Sequence, residues 1–269
     1  MQTVLITGAT DGLGRALAAH LAATGATILV HGRDDARGKD TLAEIAAKTG
    51  NEKLFWYRAD LSDFDQVRRL ADTVSREHDH LTALVSNAGI GTTVPGGGVR
   101  QENADGYELR FTVNYLSGFL LTHLLRPLLV ASAPSRIVQV SSAGQAPIDF
   151  DDVMLTRDYS GVQAYCQSKL AQIMFTFDLA EQLSGTGVTA NALHPATYMP
   201  TKIVANPVSE LADGVHATGR LVTDPALANV TGRYFNGTRE ERAHEQAYDV
   251  AARTRLRRLS GELTGISPE

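Results

Sequence analysis

Thr3-Val4-Leu5-Ile6-Thr7-Gly8-Ala9-Thr10-Asp11-Gly12-Leu13-Gly14 opens the chain with a short apolar run that breaks into three glycines. The run from Thr3 to Thr7 has the β-branched make-up of a buried strand. After it the period changes: Leu13, Leu17 and Leu21 recur every four residues, one face of a helix, and Gly25 stands where that helix would stop. Strand, glycine turn and helix in this order aim backbone N–H groups at a point where a phosphate is stabilised. Glycine there lets the backbone turn sharply and lets a ligand come close. The spacing Gly8-x-x-x-Gly12-x-Gly14 is one residue wider at the front than the common Gly-x-Gly-x-x-Gly. It also lacks the Gly-Lys-Ser/Thr ending of a triphosphate-binding loop, which disfavours a nucleotide triphosphatase.

Outward from this stretch, short β-branched runs alternate with longer segments of helical period. Strands are expected at Thr27–His31, Leu54–Ala59, Ala83–Ser86, Arg136–Ser141, Val188–Leu193 and Gly232–Phe235. Most are nearly continuous apolar runs, the pattern of strands covered on both faces. Apolar stripes follow at Leu109, Val113, Leu116, Leu120 and Leu124, and at Leu170, Ile173, Met174 and Phe177. The expected fold is a single α/β domain: a Rossmann-type, doubly wound parallel sheet of about seven strands with helices on both faces. Residues 196–225 show no clear period and are too long for an ordinary connection, so a functional lid is expected within them. Pro95-Gly96-Gly97-Gly98 reads as a surface loop.

Composition narrows the function. The 269 residues can bury a substantial core, and 43% hydrophobic against 20% charged residues is ordinary for a folded chain. A net charge of −5 argues against nucleic acid as the main partner. The single cysteine, Cys166, forms no intrachain disulfide, and no His/Cys spacing supports a metal site. The amino terminus lacks a secretory pattern. The most apolar window, Gly118 to Ala133, is broken by His123, Arg126 and Pro127 and falls short of a membrane span. A soluble, cytoplasmic chain is expected.

Further motifs follow the glycine turn in order: Asp60-Leu61, Asn87-Ala88-Gly89, Asn114, Ser141-Ser142, Tyr165-x-x-x-Lys169 and His194-Pro195. Together they resemble the short-chain dehydrogenase/reductase family from Thr3 to about Phe235. The segment from Ile148 through Tyr159 to Leu170 is similar to the branch holding retinol dehydrogenases and protochlorophyllide reductases. The resemblance implies an NAD(P)-dependent oxidoreductase with Tyr165 as general acid/base and Lys169 holding the nicotinamide ribose. It further implies that Ser142 bonds the substrate oxygen and that Asn114 holds a water beside the lysine. Cofactor contacts are implied at Gly8, Thr10, Asp11, Gly12, Leu13, Gly14, Arg33, Asp60, Leu61, Asn87, Ala88, Gly89, Tyr165, Lys169, Pro195, Ala196 and Thr197.

The residue chemistry agrees with that assignment. A phenol near its unperturbed pKa of about 10 is a poor base, and an ammonium within about 4–6 Å lowers it. Tyr165 and Lys169, four residues apart, share a helix face. Structural roles stay open for Asn114 as a bridge between helices, and for Asn87-Ala88-Gly89 as shapers of the central sheet. Cys166 reads as a small helix residue, His194 as a strand end, and the arginines of 253–258 as a solvated helix face.

Where an NAD enzyme presents an acid at the end of the second strand, this chain has Gly32 followed by Arg33. NADP(H) is therefore expected and NAD(H) disfavoured, although Asp11 and Asp34 pull the other way. Tyr198, Met199, Ile203, Val204 and Leu211 make the expected lid apolar, which points to a lipophilic carbonyl or alcohol as substrate. The alternatives are reduction of a carbon–carbon double bond and a non-catalytic, cofactor-binding redox sensor. Residues 149–160 lengthen the path from Ser142 to Tyr165 at the rim of the site. The resemblance implies a homodimer or homotetramer through the helices carrying Asn114 and Tyr165, while the 30 or so residues beyond Phe235 leave a monomer open.

Overall fold

The structure, a computed structural model, describes residues 2–92, 98–200 and 208–267. Seven parallel strands form one sheet: β1 (Thr3–Ile6), β2 (Thr27–Gly32), β3 (Leu54–Arg58), β4 (Ala83–Ser86), β5 (Ser135–Val140), β6 (Val188–His194) and β7 (Arg233–Asn236). A two-residue strand, β8 (Arg239–Glu240), adds an antiparallel edge. The order is β3-β2-β1-β4-β5-β6-β7-β8, so the winding reverses between β1 and β4. In an open sheet of this kind the crevice outside the carboxyl ends at that reversal is where a dinucleotide lies. All seven expected strands are present, each within two residues of its expected ends.

Helices cover both faces. On one side lie α1 (Gly12–Ala22), α2 (Asp35–Thr49) and α6 (Leu211–Thr223). On the other lie α3 (Phe64–Glu77), α4 (Ser117–Ala131), α5 (Gly161–Gln182) and α7 (Val250–Thr264). The Leu13, Leu17 and Leu21 stripe of α1 is buried, each side chain contributing about 1.5–3 kcal/mol of transfer free energy. Leu170, Ile173, Met174 and Phe177 of α5 are buried against the sheet's other face.

Three expectations need correction, and a fourth gains a structural neighbour. Residues 211–223, read as aperiodic, form α6, which packs Ala217, Leu221 and Val222 into the core beside α1. Arg253 and Arg257, read as a solvated face, turn toward α5: Arg253 pairs with Glu181 at 2.8 Å and Arg257 with Asp178 at 2.9 Å. With α7 lying along α5, part of the face implied for assembly is covered within the chain. Finally, the continuous helical run Phe111–Ala131 has the length and mean hydropathy of a membrane span, longer than the Gly118–Ala133 window suggested. Here it packs against α3 and α5 with Leu116, Leu120 and Leu125 buried. Its first turn, Phe111–Leu116, is wound wider than an α-helix, a feature that recurs at functional sites.

Candidate active site

The glycine turn after β1 is constrained by backbone contacts. Gly8 has a φ of +65°, and a Cβ there would lie 2.9 Å from the Ala88 Cα. A Cβ on Gly14 would come within 2.4 Å of the Gly8 carbonyl oxygen. The loop after β4 clasps this turn: the Asn87 and Ala88 N–H groups donate to Thr7 Oγ1 at 2.9 and 3.0 Å, and Asn87 Nδ2 donates to the Thr7 carbonyl at 2.8 Å. Asn87 and Ala88 thus build the floor of the crevice, the structural role left open for them. Asp11 caps α1 by accepting from the Gly12 N–H at 2.9 Å.

Sequence reasoning missed His31, which buttresses the same turn. The Gly8 N–H donates to His31 Nδ1 at 3.2 Å, so the ring proton sits on Nε2 and faces the Ala59 carbonyl, also at 3.2 Å. Burial draws its pKa down to about 4, which keeps the ring neutral and the Gly8 bond intact.

The expected catalytic residues lie after the end of β5 (Ser142), on α5 (Tyr165 and Lys169) and in the wide turn before α4 (Asn114). Ser141 and Ser142 divide their work. Ser141 Oγ donates to the Lys169 carbonyl at 2.7 Å and anchors α5, whereas the Ser142 hydroxyl faces the Tyr165 phenol and stabilises its ionised form. Ser142 Oγ also accepts from the Gly144 N–H at 3.0 Å, and Tyr234 and Gln145 both donate to the Ser142 carbonyl, at 3.1 Å each. Neither Tyr234 nor Gln145 carries a local signal that would have singled it out. Gly144 faces the same groups: a Cβ there would sit in ordinary contact, 3.4 Å from Cys166 Sγ and 3.5 Å from Ser142 Oγ.

Lys169 Nζ lies 5.7 Å from the centre of the Tyr165 ring and donates to the Val140 carbonyl and to Gln172 Oε1, both at 2.9 Å. Burial lowers its pKa to about 7. The phenol departs from expectation: burial raises the Tyr165 pKa, and the Ser142 hydroxyl, not the lysine, is the group that opposes the rise.

Asn114, in the wide turn, bridges two elements. Its Oδ1 accepts from the Ile90 N–H at 2.7 Å, and its Nδ2 donates to the Ile90 carbonyl at 3.2 Å and to Ser168 Oγ at 3.0 Å. Its side chain therefore ties the Asn87–Ile90 loop to α5 and brings Gly89 against the amine. A Cβ on Gly89 would lie 3.5 Å from Lys169 Nζ.

At the end of β2, Gly32 is walled in: a Cβ would stand 2.9 Å from both Thr10 Cγ2 and Trp56 Cη2. Arg33 is exposed beside it, and Arg58 is in register opposite Gly32 and donates to the Arg33 carbonyl at 3.3 Å. Asp34 caps α2 through the Arg37 N–H at 3.1 Å. Asp60 Oδ1 accepts from the Ser62 N–H and hydroxyl, at 2.9 and 2.8 Å, and so fixes the turn into α3. Leu61 is buried. After β6, Pro195, Ala196 and Thr197 run past the end of β5's neighbour, with Thr197 Oγ1 3.0 Å from His194 Nε2.

Of the expected lid, Met199 packs on Gly214 of α6, and Leu211 packs against the core. Tyr198 is exposed with a φ of +48°. Ile203 and Val204 lie outside the described residues, as do residues 95–97 of the expected surface loop. The 149–160 segment is tied down rather than draped. Tyr159 donates to Glu108 Oε1 at 3.0 Å and accepts from Arg110 at 2.7 Å, and both charged partners are buried. Among the described residues no three His, Cys, Asp or Glu side chains group as metal ligands.

The glycine cradle, which no side chain larger than hydrogen would fit, suits a dinucleotide pyrophosphate. Comparison with known proteins agrees. A family model for the short chain dehydrogenase matches residues 2–211. Retinol dehydrogenase 14 of Homo sapiens is 35% identical, over 98% of this chain and 87% of its own length. Retinol dehydrogenase 13 of Homo sapiens is also 35% identical, over 98% and 85%. A crystal structure of an uncharacterized protein from Mycobacterium paratuberculosis superposes with a TM-score of 0.80 at 29% identity, covering 100% of this chain and 95% of that one. A short chain dehydrogenase from Shigella flexneri 2a, complexed with NADP, gives a TM-score of 0.72 at 25% identity over 88% of this chain and 97% of that one. The chain belongs to the short-chain dehydrogenase family, is similar within it to the retinol dehydrogenases, and is an NAD(P)-dependent oxidoreductase.

Proposed function

We propose that this chain interconverts a carbonyl and an alcohol on a lipophilic small molecule, using NADP(H), with Tyr165 as general acid and base. The observation that carries the reading is the juxtaposition of the Tyr165 phenol, the Ser142 hydroxyl and the Lys169 amine, 5.7 Å from the centre of the phenol ring, beside the crevice where the sheet reverses. A carbonyl oxygen set between the Ser142 hydroxyl and the Tyr165 phenol accepts a hydrogen bond from each. As charge builds on that oxygen, Tyr165 gives up its proton and Ser142 steadies the oxygen. The nicotinamide, when bound, supplies the hydride. Burial holds the phenol protonated at neutral pH, which suits reduction, and alcohol oxidation becomes easier as pH rises. With a pKa near 7, the Lys169 amine can take up or hand on a proton in the working range.

Support for NADP(H) comes from the end of β2. The wall of Thr10 and Trp56 leaves Gly32 no room for an acidic side chain, and the Arg33 fork beside it is matched to a phosphate. Support for an apolar substrate comes from Val162, Tyr198 and Val208, exposed on segments that lead into the site. The names carried by the similar human proteins put a polyene alcohol and its aldehyde first in a substrate panel.

The test is titration of NADPH and NADH into the protein, followed by turnover of lipophilic aldehydes and ketones with the preferred cofactor. NADPH is expected to bind at least about tenfold more tightly, with loss of carbonyl absorbance in the product. Tighter NADH binding, or turnover of small charged substrates alone, overturns the reading.

A further inference from the structure

We infer that Gln172 is a positioning residue for the Lys169 amine and that Gln139 sets the orientation of Gln172. The inference deepens the proposed function, since it rests on the reading of Lys169 as part of the catalytic group. All three side chains lie buried on one face of the sheet, beneath α4 and α5. Lys169 Nζ donates to Gln172 Oε1 at 2.9 Å, and Gln172 Nε2 donates to Gln139 Oε1 at 3.4 Å.

The direction of this chain is dictated from the lysine end. An ammonium has only donors, so the Gln172 atom facing it must be the amide oxygen. That turns the Gln172 NH₂ toward β5, and the Gln139 atom facing it must then also be an oxygen. The outcome is costly further along. Gln139 Nε2 is buried with no hydrogen-bond partner among the described residues, and so is Ser86 Oγ, on the β4 residue in register with Gln139. Turned over together, the two amides would make an equivalent bond, Gln139 Nε2 to Gln172 Oε1, so their mutual pairing alone does not choose between the two orientations. Their orientation therefore follows the charge on the amine, and the pair favours the ammonium form in a place where burial opposes it.

The remaining surroundings of Nζ are accounted for. From β5 comes the Val140 carbonyl at 2.9 Å, and from the loop after β4 comes Gly89, in a loop held by the Asn114 amide of the wide turn. The titratable neighbour among the described residues is Tyr165, on the same helix. No carboxylate contributes to the displaced pKa of the amine, whose cause is burial. Gln172 is thus the side-chain acceptor through which the amine can be tuned.

The experiment follows the Lys169 amine directly, by pH titration of lysine ¹⁵Nζ resonances in the full-length protein, with Lys169→Arg as the assignment control. In Gln172→Leu the midpoint is expected to fall by about one pH unit, a tenfold shift in the protonation equilibrium. In Gln172→Glu, which keeps the acceptor and adds charge, it is expected to rise by about as much. Gln139→Leu should shift the midpoint in the same direction as Gln172→Leu, by less. The basic limb of NADPH-dependent reduction is expected to move with the midpoint in each variant. Midpoints unchanged in Gln172→Glu and Gln139→Leu, with thermal unfolding intact, overturn the inference even where Gln172→Leu does not fold. Failure of the oxidoreductase reading shows separately, as a wild-type protein without turnover whose Lys169 midpoint still responds to Gln172.

Discussion

The two sides of the crevice are held by different kinds of constraint. On the cofactor side the shape is set chiefly by backbone: Gly8 against Ala88 and Gly14 against the Gly8 carbonyl leave no volume for a side chain, while Gly32 is walled in by the Thr10 and Trp56 side chains. On the proposed substrate side the wall is set by side chains reaching across the sequence. Gln246 bonds both backbone groups of Ile148, Arg255 reaches the Phe150 carbonyl, and Tyr159 reaches Glu108 and Arg110. Backbone constraints admit one solution and so preserve one cofactor pose. Side-chain ties can be exchanged singly, and a wall made of them can be altered without touching the cradle.

The largest test of that division falls on the seam between the sides. Tyr165→Phe removes the proton donor and leaves the glycine turn alone. Turnover is expected to fall about 10²- to 10⁴-fold, the usual contribution of a general acid. The NADPH dissociation constant, measured by fluorescence, should stay within about twofold of wild type. A comparable loss of cofactor binding would mean that the two sides are not separable.

A second test strikes the cofactor side through pH. The His31 pKa lies at about 4 in the folded chain, against 6.5 in an exposed ring. Between those values the unfolded chain binds the extra proton and the folded one does not. Stability is therefore full above pH 6.5 and declines as pH falls toward 4, by about 3 kcal/mol from this residue. Denaturant titrations at pH 7 and pH 4.5 should show that slope, reduced in His31→Asn. The same acid range should weaken NADPH binding, because protonated Nδ1 can no longer accept from the Gly8 N–H. A slope unchanged in His31→Asn would assign the acid response elsewhere.

The same division explains what could be read from the chain alone. Strands buried on both faces announce themselves as apolar runs, and a glycine forced by backbone is visible as a glycine. The order of motifs therefore located Tyr165, Lys169, Ser142 and the turn. α6 escaped because its apolar positions, Leu211, Val215, Leu221 and Val222, are interrupted by small residues, with Gly214 packed on Met199 and Leu13 and Gly219 on His20. Arg253 and Arg257 read as solvated because their partners, Glu181 and Asp178, lie more than 70 residues away in the sequence. The wide turn at Phe111–Leu116 leaves no periodic trace, since one loosened turn barely shifts an apolar stripe. His31 and Gln172 act through polar contacts with backbone and side chains that only folding brings near.

On the substrate side, Tyr159→Phe deletes one hydroxyl between two buried charges that are 3.8 Å apart. Hydrogen bonds to charged groups are worth about 1.5–3 kcal/mol, so thermal unfolding should report a loss in that range. Because the hydroxyl ties residues 149–160 to the start of the helix carrying Asn114, the Michaelis constant for an apolar substrate should rise several-fold. NADPH affinity should not change. A shift in NADPH affinity equal to the shift for substrate would show that the wall and the cradle move as one body.

The smallest expected effect comes from the outer edge of the same wall. Arg255 pairs with Asp151 at 2.9 Å, but the two side chains are 51% and 82% exposed, so water screens the pair. Its guanidinium also lies 4.9 Å from the Phe150 ring centre, a contact worth about 0.5–1 kcal/mol at an exposed site. Arg255→Ala should therefore cost no more than about 1 kcal/mol by denaturant titration. Arg255→Lys, which keeps charge but loses the planar fork, should fall between the two. If either variant matched the loss in Tyr159→Phe, the exposed rim would be holding the wall as firmly as the buried triad does. The substrate side would then have to be described as a single locked unit, with the backbone-against-side-chain contrast confined to the glycine turn.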